Sequence, residues 1–119
     1  TKLRGEKLVK KLDEYIIIRT RFFNKKKIKF KYSATNIYTS ALEVGIFVKY
    51  LDKVLKKKFR GILNIGGKKI SDYDRYYKYN KKIVPCDKNK VFKSLNFKIA
   101  TDASLNLNKL NRLIWILLI

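Results

Sequence analysis

Six apolar residues, Ile37, Ala41, Val44, Val48, Leu51 and Leu55, recur at steps of four, three, four, three and four. That is the period of one face of an α-helix. A helix striped in this way must bury the stripe against other elements, so the pattern predicts a packed domain. Lys49, Lys53 and Lys56 to Lys58 lie off the stripe and gather toward its end, where the helix macrodipole favours cations. Ser33 is placed to cap the helix start, and Gly61 stands where a glycine commonly terminates one. The stripe reads as core.

The flanks carry shorter signals. Leu3, Leu8, Leu12 and Tyr15 predict an amphipathic helix over residues 2–14. The β-branched run Ile16-Ile17-Ile18 begins a strand that continues through Arg19, Arg21, Phe22 and Phe23. Asn24-Lys25-Lys26-Lys27 is a polar turn, and Ile28-Lys29-Phe30-Lys31-Tyr32 alternates apolar and basic residues like a half-exposed strand. Together they predict a β-hairpin with a lysine tip. Ile62-Leu63-Asn64-Ile65 predicts a short strand stopped by Gly66-Gly67. Two β-type segments close the chain. Val91, Lys93, Leu95, Phe97 and Ile99 share one face of the first, with Asn96 and Lys98 on the other. The second, Leu110 to Ile119, is apolar on both faces, as an interior strand or one covered by a partner is. There is no internal repeat.

Thirty Lys and Arg against nine Asp and Glu give a formal charge of +21 over 119 residues. Such self-repulsion costs stability unless a counter-charge is present, so the expected partner is a polyanion. The basic residues are spread along the whole chain; a membrane anchor would gather them beside an apolar segment or on one helix face. The longest apolar run, Leu113 to Ile119, is seven residues, far short of the roughly 20 that span a bilayer. No secretory signal or cleaved presequence is read at the N-terminus. With 46% apolar residues the chain is not a disordered basic tail.

One cysteine, Cys86, and no histidine exclude an internal disulfide, Cys/His zinc sites and Ser-His-Asp or Cys-His catalysis. The nine acids are scattered, with no ExxE pair of the kind a two-metal site uses. Neither an enzyme nor a cofactor is expected. Lys, Asn, Ile, Tyr and Phe make up more than half of the chain, and lysine outnumbers arginine 24 to 6. That bias follows A/T-rich codons and suggests an organellar or otherwise AT-rich coding source.

From Tyr32 onward the order of motifs resembles the C-terminal domain of the small-subunit ribosomal protein S-three family. The resemblance rests on Ser33-Ala34 and Ser40-Ala41-Leu42-Glu43 on a first helix, Arg60-Gly61-Ile62-Leu63-Asn64-Ile65 before the turn Gly66-Gly67-Lys68, Tyr76-Tyr77-Lys78, and Lys82-Ile83-Val84-Pro85. It continues through Lys98-Ile99-Ala100-Thr101-Asp102-Ala103 and ends on a closing strand Arg112-Leu113-Ile114-Trp115-Ile116. It implies an α+β fold, helix or helices packed on a four-stranded mostly antiparallel sheet. Residues 1–31 would form a basic N-terminal extension, helix plus hairpin, and residues 32–119 the S-three-like domain.

The resemblance further implies a structural constituent of the small subunit of an organellar ribosome, in the mitochondrial matrix or another AT-rich organelle. The chain would sit in the head near the mRNA entry. Its expected partners are small-subunit rRNA, neighbouring ribosomal proteins, mRNA at the entry channel and a separately encoded N-terminal half, with no membrane span. The alternative is a free RNA- or DNA-binding regulator. Candidate RNA-binding residues are Arg19, Arg21, Lys25, Lys26, Lys27, Lys49, Lys53, Lys56, Lys57, Lys58, Arg60, Lys68, Lys69, Arg75, Tyr77, Lys78, Lys81 and Lys82. Lysines interleaved with aromatics over 68–82 suit phosphate neutralisation and base stacking; the same stretch also suits a solvated loop whose tyrosines pack on the core.

Overall fold

In the computed structural model, which describes residues 1–91 and 100–117, the longest strand pairing joins segments far apart in sequence. Strand β1 (Ile16–Thr20) lies parallel to β6 (Gly61–Ile65), in register from Ile16 opposite Gly61 to Thr20 opposite Ile65. Residues opposite one another share a face of the pleat. Ile18 therefore stands beside Leu63, and Leu63, Ile65, Val54 and Leu110 form the centre of the core. Gly61 adopts a left-handed φ of 105°, open to a residue without Cβ, and its N–H reaches Tyr15 O at 2.9 Å to start the ladder.

The other strands are short. β2 (Phe22–Phe23) runs parallel to β5 (Leu42–Glu43), β3 (Tyr32–Ala34) parallel to β8 (Val84–Cys86), and β4 (Tyr38–Thr39) antiparallel to β7 (Ile70–Ser71). The α+β class holds, but among the described residues the strands form two-stranded pairs, three of them parallel. The four-stranded antiparallel sheet is absent there.

The predicted hairpin does not form. Residues 25–27 make a single 3₁₀ turn, capped by Asn24 Oδ1 accepting from Lys26 N at 2.9 Å, and the segments on either side part toward different partners. Phe23 and Phe30 each meet the Tyr76 ring edge-on, at 5.3 and 5.1 Å. Ring contacts with Tyr76, distant in sequence, thus compete with local strand pairing and win.

Helix α1 spans Lys2–Val9, with turns and bends over 10–14, so the first helix is shorter than its pattern. Helix α2 spans Val44–Lys56 and begins later than the stripe suggests. Its cap is Glu43, whose Oε2 accepts from Gly45 N at 3.0 Å; Ser33 is buried in β3 instead. The buried face is also rotated from the predicted one. Val54 is 1% exposed and Phe47 and Tyr50 pack on the core, while Val48 and Leu55 are 54% and 53% exposed. The stripe was off by one position, because Phe47-Val48 and Val54-Leu55 are adjacent apolar pairs that fit two phases equally well.

Helix α3 (Asp72–Tyr77) is capped by Ser71 Oγ, which accepts from Asp74 N at 3.1 Å. A single-turn α4 (Lys88–Val91) follows β8. The C-terminal segment read as a strand is helical: α5 spans Asn108–Leu117 and begins where Asn106 Oδ1 accepts from Asn108 N at 3.0 Å. Leu107, Leu110 and Leu113, spaced three apart, meet the β1–β6 core, a period that a two-faced apolar run disguises. The expected strand face through Lys93, Leu95, Phe97 and Ile99 lies outside the described residues.

Candidate ligand-binding cleft

The segment Thr39 to Leu42 is the hub around which a cleft is built. Its backbone is held from three sides. Gly67 N donates to Ser40 O at 2.8 Å, Leu42 N donates to Arg21 O at 3.0 Å, and the Arg75 guanidinium donates to the carbonyls of Thr39 and Ala41. Arg75 also reaches Lys68 O at 3.3 Å. A planar guanidinium with five fixed donors can join several carbonyls at once, which an ammonium on a flexible stem cannot do as well. Arg75 is 7% exposed, and burial pushes its pKa down, partly opposed by Tyr76 and Asp72.

Close backbone approach completes the hub. A Cβ on Gly66 would lie 2.8 Å from Ser40 O, and one on Gly67 would lie 2.7 Å from Leu42 Cδ2. Asp72, also buried, accepts from Thr39 Oγ1 at 3.2 Å. Burial raises its pKa, with Arg21 the strongest opposing influence.

Around this frame opens a cleft of about 550 Å³, open mouth included. Phe23, Leu42, Ile46 and Ile70 give it an apolar floor, with Tyr79 beside Phe23 at 5.6 Å between ring centroids. Lys68 and Lys78, both exposed, stand at its rim, and Arg75, Glu43 and Asp74 complete the lining. Apolar walls with a few convergent charges are the usual make-up of a small-molecule site. A ring can lie against Phe23 and Tyr79 while an anionic group meets the lysines. A second, more polar recess is lined by Arg19, Ile62, Asn64, Asn106, Asn108, Lys109 and Arg112.

The cations singled out from sequence are mostly dispersed. Arg21, Lys25, Lys26, Lys27, Lys49, Lys53, Lys57, Lys58 and Lys82 are exposed. Arg19 is bound in bidentate fashion by Glu6, at 2.8 and 2.9 Å, and the guanidinium's hydrogen bonds hold the Glu6 carboxyl below its usual range. Lys56 pairs with Asp52 at 3.0 Å and Arg60 with Glu14 at 3.6 Å. Lys69 pairs with Asp102 at 2.6 Å, holding that carboxyl far below its usual range with help from Ser104. Lys81 lies 4.2 Å over the Tyr77 ring. Lys68, Arg75 and Lys78 line the cleft together, and Arg75 faces inward to carbonyls rather than outward to phosphate. The apolar half of the site, Phe23, Ile46 and Ile70, had no sequence signal apart from core. Arg75 did have one, as a rare arginine in a chain that otherwise uses lysine.

Among the described residues no group of three or more His, Cys, Asp and Glu is placed to hold a metal, and no helix is long and apolar enough to cross a membrane.

No family model matches the chain, and no curated protein does. Its fold, however, matches the 2.65 Å crystal structure of dTDP-4-dehydrorhamnose reductase from Bacillus anthracis str. Ames in complex with NADP, with a TM-score of 0.74 at 15% identity. The match covers 93% of this chain and 47% of the reductase, so the chain spans about half of that protein's length. This overturns the ribosomal resemblance. Ser33-Ala34 and Ser40-Ala41 lie in strands and a loop rather than on a first helix, and Arg112 to Ile116 lie in helix α5 rather than a closing strand. The expectation that the chain is no enzyme is corrected with it. Missing histidines exclude particular chemistries, whereas about half of a reductase shares this architecture.

Proposed function

We propose that the chain is the ligand-binding part of a reductase-type protein acting on a nucleotide-linked sugar, and that the cleft beside the Thr39–Leu42 hub takes that substrate. The observation that carries this reading is the fold shared with dTDP-4-dehydrorhamnose reductase over 93% of the chain. The cleft's chemistry supports it. The aromatic floor suits a base or sugar ring, and Lys68 and Lys78 suit a diphosphate, which lysine meets as a point charge.

NADP, held by that reductase, does not fit the residues present here. A dinucleotide turn of the G-x-G-x-x-G type needs glycines free to approach a pyrophosphate. The chain has five glycines and no such spacing, and Gly66-Gly67 are already pressed on Ser40 and Leu42. The cleft is therefore assigned to the sugar nucleotide.

The test is calorimetric titration of the chain with dTDP and, separately, with NADP at moderate salt. Binding of dTDP that weakens about tenfold or more in the Lys68→Ala/Lys78→Ala double variant supports the reading. Absence of dTDP binding, or affinity indifferent to both lysines, refutes it. One observation favours a second reading: a charge of +21, much of it on exposed lysines, suits RNA held through phosphates. Tight binding of a uridylate oligomer, steeply weakened by salt and indifferent to Lys68 and Lys78, would favour that reading instead.

A further inference from the structure

We infer that the polar recess between the β1–β6 pair and the start of α5 is a second ligand site, one that takes the phosphate ester of a small polyhydroxy compound. It stands apart from the cleft, since the two share no lining residue. The recess encloses about 780 Å³, open mouth included, and Ile62 is the apolar exception among its described lining residues.

The chain builds the recess from two sides. Arg19 stands opposite Asn64 in the β1–β6 register, so the two share a face of the pleat. On the other side, Asn108 and Arg112 are four residues apart along α5 and Lys109 is three before Arg112, spacings that put neighbours on one helix surface. Lys109 Nζ donates to Ile62 O at 2.9 Å, and Asn64 Nδ2 donates to Asn106 O at 3.1 Å. These bonds fasten the helix start to β6, so the recess is formed before a ligand arrives.

The groups left over define the ligand. Arg19 gives Nε and Nη2 to Glu6, which leaves Nη1 without a partner among the described residues. No carboxylate among those residues pairs with Lys109 or Arg112. Arg112 makes one long hydrogen bond, from Nε to Asn108 O at 3.5 Å within its own helix, and its terminal nitrogens stay open. Cations gathered around one recess without a counter-charge repel one another, and an anion relieves this. A guanidinium meets phosphate through paired N–H donors.

A bare anion would leave the asparagines unused. Asn64 Oδ1 is shut off from bulk solvent and has no hydrogen-bond partner among the described residues. An unpaired buried acceptor calls for a donor, which a fully ionised phosphate lacks and a hydroxyl carries. Asn106 and Asn108 add carboxamides, which donate and accept as hydroxyls do. Phosphate beside hydroxyls is the chemistry of a sugar phosphate.

The experiment is an amide NMR titration of the chain with ribose-5-phosphate, and separately with inorganic phosphate and with ribose, at moderate salt. Ribose-5-phosphate should shift the signals of Arg19, Asn64, Asn106, Lys109 and Arg112, and should bind about tenfold or more tighter than either of its halves. The Asn64 carboxamide signal should move with ribose-5-phosphate and stay in place with inorganic phosphate. Arg112→Gln, which gives up only a bond within its own helix, should keep the spectrum of a folded chain and weaken binding about tenfold. The Lys68→Ala/Lys78→Ala variant, altered at the cleft, should bind ribose-5-phosphate unchanged.

Shifts scattered over the surface lysines, or an affinity indifferent to Arg112→Gln, would overturn the inference. Equal affinity for inorganic phosphate would overturn it too, because the asparagines would then read nothing. A uridylate oligomer that shifts the recess signals where ribose-5-phosphate does not would overturn it in favour of an RNA backbone.

Discussion

Replacing Arg75 by methionine keeps the apolar stem and removes the guanidinium that binds the Thr39–Leu42 hub. The carbonyls of Thr39 and Ala41 lose their donors in a buried setting. Each unsatisfied buried acceptor costs about 1–3 kcal/mol. Lys68 O, held at 3.3 Å in a partly buried place, can turn to water and adds little. Against this stands the relief of burying a cation whose Nε has no partner. The net expectation is a loss of about 2–4 kcal/mol, a large share of the roughly 5–15 kcal/mol typical of a whole domain. In urea unfolding, with a slope of about 1–3 kcal/mol/M, the midpoint should fall by roughly 1–2 M at unchanged slope. Arg75→Lys should recover only part of this, since one ammonium does not span both carbonyls. A Met variant within about 0.5 kcal/mol of the parent, or more stable than it, would refute the hub argument. The carbonyls would then be finding other donors.

Two further outcomes follow from the same hub. Gly66→Ala places a Cβ against Ser40 O, a backbone atom that cannot step aside, and should cost about 1–3 kcal/mol by urea melt; a neutral substitution would show that the two segments separate freely. Asp72 has its pKa raised above 3.8 by burial, so its contribution to stability is fully present below that value and is lost as pH rises through the folded one. Asp72→Asn should therefore flatten that part of the stability profile and be no less stable than the parent at pH 7. A larger loss at pH 7 than at pH 4 would show that attraction to Arg21 and Arg75 outweighs burial.

Local patterns in the sequence located β6 and its Gly66-Gly67 stop, but Gly61, read as the glycine that terminates the helix, opens β6 instead, and the helix ends earlier, at Lys56. Those patterns did not reveal which strands pair. The Ile16 and Gly61 segments carry no local sign of each other, and the nearby Ile28–Tyr32 run offered a hairpin that aromatic packing on Tyr76 overrides. The α2 stripe was legible in period but not in phase. In the candidate site, basicity drew attention to Lys68, Arg75 and Lys78, but it gave Arg75 the wrong task. A lysine-biased chain that nevertheless places arginine at 19 and 75 marks positions needing a rigid, many-pronged donor, and both are so engaged.

The Arg75 bracing also bears on how quickly the cleft can work. Its Ala41–Leu42 and Gly67–Lys68 walls are joined by one guanidinium and by the Gly67 to Ser40 hydrogen bond, and the mouth is already open. A ligand meets a finished surface and need not wait for a rearrangement, so association should follow encounter frequency without a slow phase. On the proposed reading, residence time would then be set by how well Lys68 and Lys78 hold a diphosphate.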